Sequence, residues 1–181
     1  PHQALDRVLE GEGVSRVRGR AQSVSAAAGG EHVLAVRGGG EAVEVRGDAL
    51  LVAVGRGPIT AGLGLEAAGV QTDAASGGIC VDAKLRTTAT GAVPVYAAGD
   101  CTGGAQYTHY AGYQGVIAAR NALLPLADPG TLASVPGCTF TSPEVARVGL
   151  TEAGAAAELG GAAKVRVVTR PLTKARDLAR P

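Results

Sequence analysis

Val93-Pro94-Val95-Tyr96-Ala97-Ala98-Gly99-Asp100 reads as a strand buried on both faces and delivered to a glycine-acid turn, and this stretch decides the fold class. In open α/β folds, ligands sit beyond the carboxyl ends of strands. A glycine there lets a ligand approach the backbone, and an acid accepts hydrogen bonds from sugar hydroxyls. Asp100 is thus a candidate acceptor for a polyol, beside Gly99. An isolated Gly-Asp pair is more often an ordinary strand-ending turn, so its neighbours have to decide.

The loop Thr102-Gly103-Gly104-Ala105 leads into Gln106-Tyr107-Thr108-His109 and a predicted helix over 109–124, with Gly112, Gly115, Ala118, Ala119 and Ala122 along it. Small residues permit close packing. A helix amino terminus offers free N–H groups and about half a positive charge, which suits an anionic oxygen. Reduced flavin develops such a charge at N1 and the C2 carbonyl. The competing reading is an ordinary helix start with Thr108 as its cap. His109 has no carboxylate near it in sequence and reads as a packing or hydrogen-bonding residue; Cys101 reads as a small buried thiol.

Upstream, residues 49–54 form a continuous apolar run ending at Gly55-Arg56-Gly57-Pro58, a second predicted strand buried on both faces. Its turn repeats the strand-then-glycine design. Gly55 would bring backbone to a second nucleotide with Arg56 near a phosphate or adenine, or the pair is a turn with a solvated side chain. Before it, Leu5, Val8 and Leu9 predict a short amphipathic helix, and alternation over 14–54, broken by glycines, predicts an antiparallel meander of three or four strands.

Between 59 and 90 the pattern predicts a short helix around 65–68, a strand at 78–81 and a polar turn before Leu85. Residues 125–136, with Pro125, Pro129, Gly130 and Pro136, are a linker by composition. Strands over 139–141 and 146–150, a helix over 151–159 and a strand over 164–168 then open an α+β unit.

The 17 Lys and Arg against 16 Asp and Glu leave a net charge of +1, so nothing marks a nucleic-acid or anionic-membrane partner. Cys80, Cys101 and Cys138 are too far apart for a CxxC, and a disulfide framework or metal site is not expected. No apolar run reaches the roughly 20 residues of a membrane span, and the start is not a signal peptide. The expectation is a soluble protein, cytoplasmic or from an organelle matrix. The chain opens at Pro1 without a Met and stops at Ala179-Arg180-Pro181 in mid-pattern, which suggests a piece of something longer.

Leu51-Val52-Ala53-Val54-Gly55-Arg56-Gly57-Pro58, Val95-Tyr96-Ala97-Ala98-Gly99-Asp100-Cys101 and the run from Phe140 to Glu152 together resemble the pyridine nucleotide-disulfide oxidoreductases. Tyr107-Thr108-His109-Tyr110-Ala111-Gly112-Tyr113-Gln114 is most similar to the mercuric-reductase-like branch. The resemblance implies an α/β chain: part of a two-dinucleotide-binding-domain Rossmann-like fold, for FAD and NAD(P), followed by the start of an α+β dimerisation domain. Its implied boundaries are 1–54, the end of the NAD(P) domain; 55–127, the end of the FAD domain; 128–136, a linker; and 137–181, the opening of the dimerisation domain.

The same resemblance implies FAD and NAD(P)H as cofactors. Gly55 and Arg56 would lie near the nicotinamide nucleotide, Gly99 and Asp100 at the ribityl or pyrophosphate part of FAD, and Tyr107, Thr108 and His109 where the helix meets the flavin ring. It implies a homodimer acting on a small molecule or disulfide. No catalytic residue falls in the chain, because the family's redox cysteine pair, phosphate-binding glycine loop and His-Glu pair lie outside it. The expected activity of the parent is hydride transfer from NAD(P)H through FAD to a disulfide, metal ion or similar acceptor. A non-catalytic flavin-binding or dimerising fragment, or a relic gene, is the competing reading, and a flavin reductase without a disulfide is a third.

Overall fold

A computed structural model describes residues 2–38, 40, 42–125 and 128–170. The chain divides into two units. One comprises the described residues up to Pro58 with Thr139–Val145, and the other Ile59–Cys138 with the described residues from Ala146 onward.

The first unit opens on α1 (His2–Gly11), as the Leu5, Val8 and Leu9 spacing predicts. Gly13, at φ 83°, turns the chain out of it. Arg16 reaches back to Asp6 at 2.6 Å and Glu10 at 2.8 Å, tying the following segment to the helix surface. The meander is present with three strands: β1 (Arg20–Ala26), β2 (His32–Arg37) and β3 (Ala42–Gly47), antiparallel and adjacent in chain order. Gly29 and Gly30, at φ 81° and 85°, make the first reversal; the second passes Gly38 and Gly40, and Gly39 of that predicted break lies outside the described residues.

Residues 49–54 correct the sequence reading. They form no strand, and Leu51 and Val54 are each 89% exposed. Apolarity alone does not make a buried strand, because a strand exists only through pairing with neighbours. No strand among the described residues pairs with these.

In the second unit the predicted helix at 65–68 is a single hydrogen-bonded turn, with the amides of Ala68 and Val70 donating to the Leu65 carbonyl. Gly64 and Gly69, at φ 66° and 69°, bracket it and leave room for no second turn. The predicted strand at 78–81 survives as two antiparallel bridges, Thr72 with Ile79 and Val81 with Thr87. At 82–86 the polar turn forms as read: the Asp82 carboxylate accepts from the Lys84 and Arg86 amides, with Leu85 at φ 66°.

The predicted strand at 93–98 is also corrected. It pairs only along one short edge, through Thr87 N to Val95 O at 2.8 Å and Ala97 N to Leu85 O at 3.0 Å, and Val93 is 76% exposed. Pro94 has no N–H to extend that ladder. Burial begins at Ala97 and Gly99.

The long helix, α2, runs Thr108–Leu123. Its buried stripe, Tyr110, Gln114, Ile117, Ala118 and Asn121, follows the helical period, and Ile117 and Ala118 belong to one of two small cores. Val70, Ile79 and Ala97 make one; Leu85 with Ile117 and Ala118 makes the other. Asn121 clamps backbone on both sides, donating to the carbonyls of Lys84 and Asp128 and accepting from the Asp128 amide.

Short strands β4 (Gly137–Thr139) and β5 (Val145–Arg147) are followed by α3 (Glu152–Leu159), capped by the Thr151 hydroxyl accepting from Gly154 N at 3.1 Å. The strand predicted at 164–168 is absent. A 3-10 turn occupies Ala162–Lys164, and the following residues pair with no strand among those described. The end of the chain, 171–181, lies outside the described residues. Among the described residues no helix is long and apolar enough to cross a membrane.

One turn in this unit titrates. The Ser76 amide and hydroxyl, then the Ala75 amide, donate to the Asp73 carboxylate and hold its pKa below the ordinary value. A depressed carboxylate contributes fully above its unfolded value, about 3.9, and its contribution is lost as pH falls through the folded value. The Ser76 amide resonance should therefore shift in an NMR titration with a midpoint below about 3.9, and Ser76→Ala should move that midpoint upward.

Candidate cofactor turn

Ala98 enters the turn in an extended conformation, φ −144° and ψ 150°, and Gly99 to Thr102 close into one 3-10 turn. Gly99 sits at φ 80°, where a side chain is strained, and an added Cβ would stand 2.9 Å from the Ala111 Cβ. The glycine is required twice, by backbone conformation and by contact with α2.

Donors hold the turn from inside. Gly99 N donates to Gln114 Oε1 at 2.8 Å, the Thr102 hydroxyl to Gly99 O at 2.8 Å, and the Cys101 thiol to Ala98 O at 3.3 Å. Gly103 N reaches Asp100 O at 3.1 Å, and Ile79 N reaches Cys101 O at 2.8 Å. The carbonyls of residues 98–101 are therefore all occupied, while the Asp100 side chain is exposed. This leaves its carboxylate as the turn's outward acceptor.

The first turn of α2 lies against this loop, and here the sequence reading of the cap is corrected. Tyr107, at φ −120° and ψ 136°, holds the cap position and makes no side-chain cap bond; Thr108 is the first helical residue. The Tyr107 ring is engaged elsewhere, stacked on His109 at 5.4 Å, with its hydroxyl accepting from Arg147 at 3.5 Å. The first intrahelical bond is Ala111 N to Tyr107 O, so the amides of Thr108, His109 and Tyr110 start the helix without an intrahelical acceptor.

His109 Nε2 lies 2.9 Å from the Pro136 carbonyl. A carbonyl only accepts, so Nε2–H is the donor of this hydrogen bond. This makes His109 a hydrogen-bonding tie to the segment before β4.

The structure thus brings Gly99, Asp100, Tyr107, Thr108 and His109 into one region. Gly55 and Arg56 belong to the other unit. Gly55 is at φ 127°, and an added Cβ would have no atom within 4 Å; Arg56 is exposed and already engaged, so it is not a free cation. Sequence reasoning missed Gln114 and Asn121. Both are polar residues on the apolar-period stripe of α2, and that misplacement was the available signal.

The donor set fits a flavin dinucleotide. An outward carboxylate suits sugar or ribityl hydroxyls, and a helix start without a side-chain cap suits an electron-rich ring edge.

Two family models match the chain: pyridine nucleotide-disulphide oxidoreductase over residues 2–115, and the dimerisation domain of the same proteins over 135–179. The chain is 39% identical over 150 residues to a mercuric reductase of Bacillus cereus, covering 83% of this chain and 23% of the relative. It is 40% identical over 153 residues to a mercuric reductase of Acidithiobacillus ferrooxidans, covering 84% and 26%. Against a dihydrolipoyl dehydrogenase of Thermus scotoductus, identity is 42% over 152 residues, covering 82% and 31%. The chain spans about a quarter to a third of the length of these curated relatives.

Proposed function

Because this chain belongs to the pyridine nucleotide-disulphide oxidoreductase family, we propose that it supplies the flavin-side turn and the opening of the dimerisation domain of an FAD-dependent NAD(P)H oxidoreductase. The observation that carries the reading is the Gly99-Asp100 turn. Its backbone is held by Gln114, Thr102 and Ile79 while its carboxylate faces out.

In this reading Asp100 accepts hydrogen bonds from ribityl or ribose hydroxyls, and the free amides of Thr108 and His109 face the pyrimidine edge of the ring. Tyr107 and His109 brace that helix end against the segment leading to β4. Gly55 and Arg56 contact the nicotinamide nucleotide. When bound, the flavin supplies a two-electron carrier between NAD(P)H and the acceptor. The chain's own residues bind and orient; the redox cysteine pair and the acid-base pair come from outside residues 1–181. The parent acts as a homodimer on a disulfide, a metal ion or a similar acceptor.

The test uses the parent protein purified with FAD. Anaerobic addition of NADPH or NADH should bleach the flavin band near stoichiometry, and Asp100→Ala should release FAD on gel filtration. A flavin band that neither nucleotide bleaches would overturn the reading.

A further inference from the structure

Gln114 is polar, yet it lies on the apolar-period stripe of α2 and is only 3% exposed. A buried amide oxygen needs a donor, and Gln114 Oε1 takes it from Gly99 N at 2.8 Å. The same glycine rests on the helix closer to its start, where a Cβ at position 99 would stand 2.9 Å from Ala111 Cβ. Ala111 and Gln114 are three residues apart and share a face of α2. Gly99 is seated on that face by a close contact and a hydrogen bond together.

The other bonds of the turn do not tie it to α2. Thr102 Oγ1 to Gly99 O, Cys101 Sγ to Ala98 O and Gly103 N to Asp100 O close within the turn and travel with it. Ile79 N to Cys101 O holds it to a different segment, and Gln106, which precedes the helix, reaches Asp100 O only at 3.5 Å. Among the described residues, Gln114 makes the hydrogen bond by which α2 itself holds the turn.

The consequence falls on Asp100, the residue after the anchored amide. Gln114 lies six residues beyond Thr108, about 9 Å along the axis at the rise of an α-helix. The helix carries that spacing rigidly, so the bond to Gly99 N fixes how far the Asp100 carboxylate stands from the amides that open α2.

We propose that Gln114 is a positioning residue for the flavin: it sets the place of Asp100 relative to the start of α2 and acts only through Gly99 N. This rests on the reading of Asp100 and the α2 amides given above. A ligand held at two places binds tightly when their spacing is set in advance, and a turn free to shift against α2 has to be ordered by the ligand instead. Losing the Gln114 bond therefore weakens FAD binding and alters the surroundings of the bound ring.

The experiment uses the parent protein purified with FAD and measures the FAD dissociation constant, the visible circular dichroism of the bound flavin and the urea midpoint. Gln114→Met keeps the unbranched shape without the carbonyl oxygen, and should raise the Kd for FAD about tenfold and change the flavin dichroism. Gln114→Glu keeps an acceptor oxygen at the same reach in either protonation state, and should restore the wild-type dichroism with a Kd within about threefold of wild type. Ile117→Ala, on the same stripe but in the Leu85 core, should lower the urea midpoint and leave the dichroism unchanged. Should the Met variant not fold, Gln114→Asn, one methylene short of Gly99 N, carries the same test with a Kd about fivefold higher. A wild-type Kd and dichroism in the Met or Asn variant, a Glu variant no better than either, or an Ile117→Ala variant with the same spectral change would each overturn the proposal while wild type still binds FAD. A wild-type parent that takes up no FAD would overturn the functional reading and this inference with it.

Discussion

Leu85→Ala should destabilise the second unit by about 3 kcal/mol, the middle of the range for emptying a fully buried leucine site. Leu85 is 0% exposed and joins Ile117 and Ala118 in one core, with Val81, Tyr96 and Ala98 against it. Gly130 closes the site so tightly that a Cβ there would stand 2.3 Å from Leu85 Cδ1. Collapse around the missing atoms would have to move both α2 and the 128–130 backbone. Asn121 resists that movement, because it holds the Lys84 carbonyl and both backbone groups of Asp128.

Leu85 also sits at φ 66°, a conformation unfavourable for a leucine. A core that retains a leucine there gains more from its packing than the backbone loses. Leu85→Gly would relieve the backbone term of roughly 1 kcal/mol while losing the same packing and adding chain entropy. Urea denaturation of wild type and the two variants separates these terms. A loss below about 1 kcal/mol for Leu85→Ala would mean that the site collapses freely and that the core is not organised around this residue.

Local features were the legible part of the sequence. The spacing of Leu5, Val8 and Leu9 yields α1, glycine-broken alternation yields the β1–β3 meander, and the small-residue run yields α2 within a residue at each end. Each depends on contacts close in sequence. Residues 49–54 and 93–98 failed as strands because burial on both faces is a property of neighbours, which a six-residue pattern cannot supply. Residues 164–168 failed for the same reason.

At the candidate site, Gly99 and Asp100 were readable because glycine and acid side chains mark a turn directly. The cap was not. Tyr107 takes that position with its ring stacked on the nearby His109 and its hydroxyl accepting from Arg147, 40 residues later in the chain, whereas local propensity would assign the cap to Thr108. Gln114 stood out only as a polar residue on the apolar stripe, since the partner that explains it, Gly99, lies 15 residues earlier in the chain.

Gly78→Ala should cost about 2 to 3 kcal/mol and should loosen the cofactor turn from behind. Its added Cβ would stand 2.5 Å from the Thr102 carbonyl carbon and oxygen and 2.6 Å from Gly103 N. These are backbone atoms, so no rotamer change relieves the overlap. The neighbouring position is as tight: a Cβ on Gly103 would meet the Ser76 hydroxyl at 2.6 Å and Gly78 Cα at 3.1 Å. Either strand of the contact has to move.

Movement of residues 102–103 acts on Asp100 through the bonds that define its turn, Gly103 N to Asp100 O and Ile79 N to Cys101 O. Gly78→Ala should therefore lower stability in urea and, in the parent protein, weaken FAD retention, although residue 78 contacts no proposed cofactor position. Gly112→Ala is the matched control, because its added methyl meets nothing within 4 Å and the helical position favours alanine. Stability lost at Gly78 with FAD retention unchanged would separate the two effects and show that Asp100 keeps its place without the backing of residues 78–79.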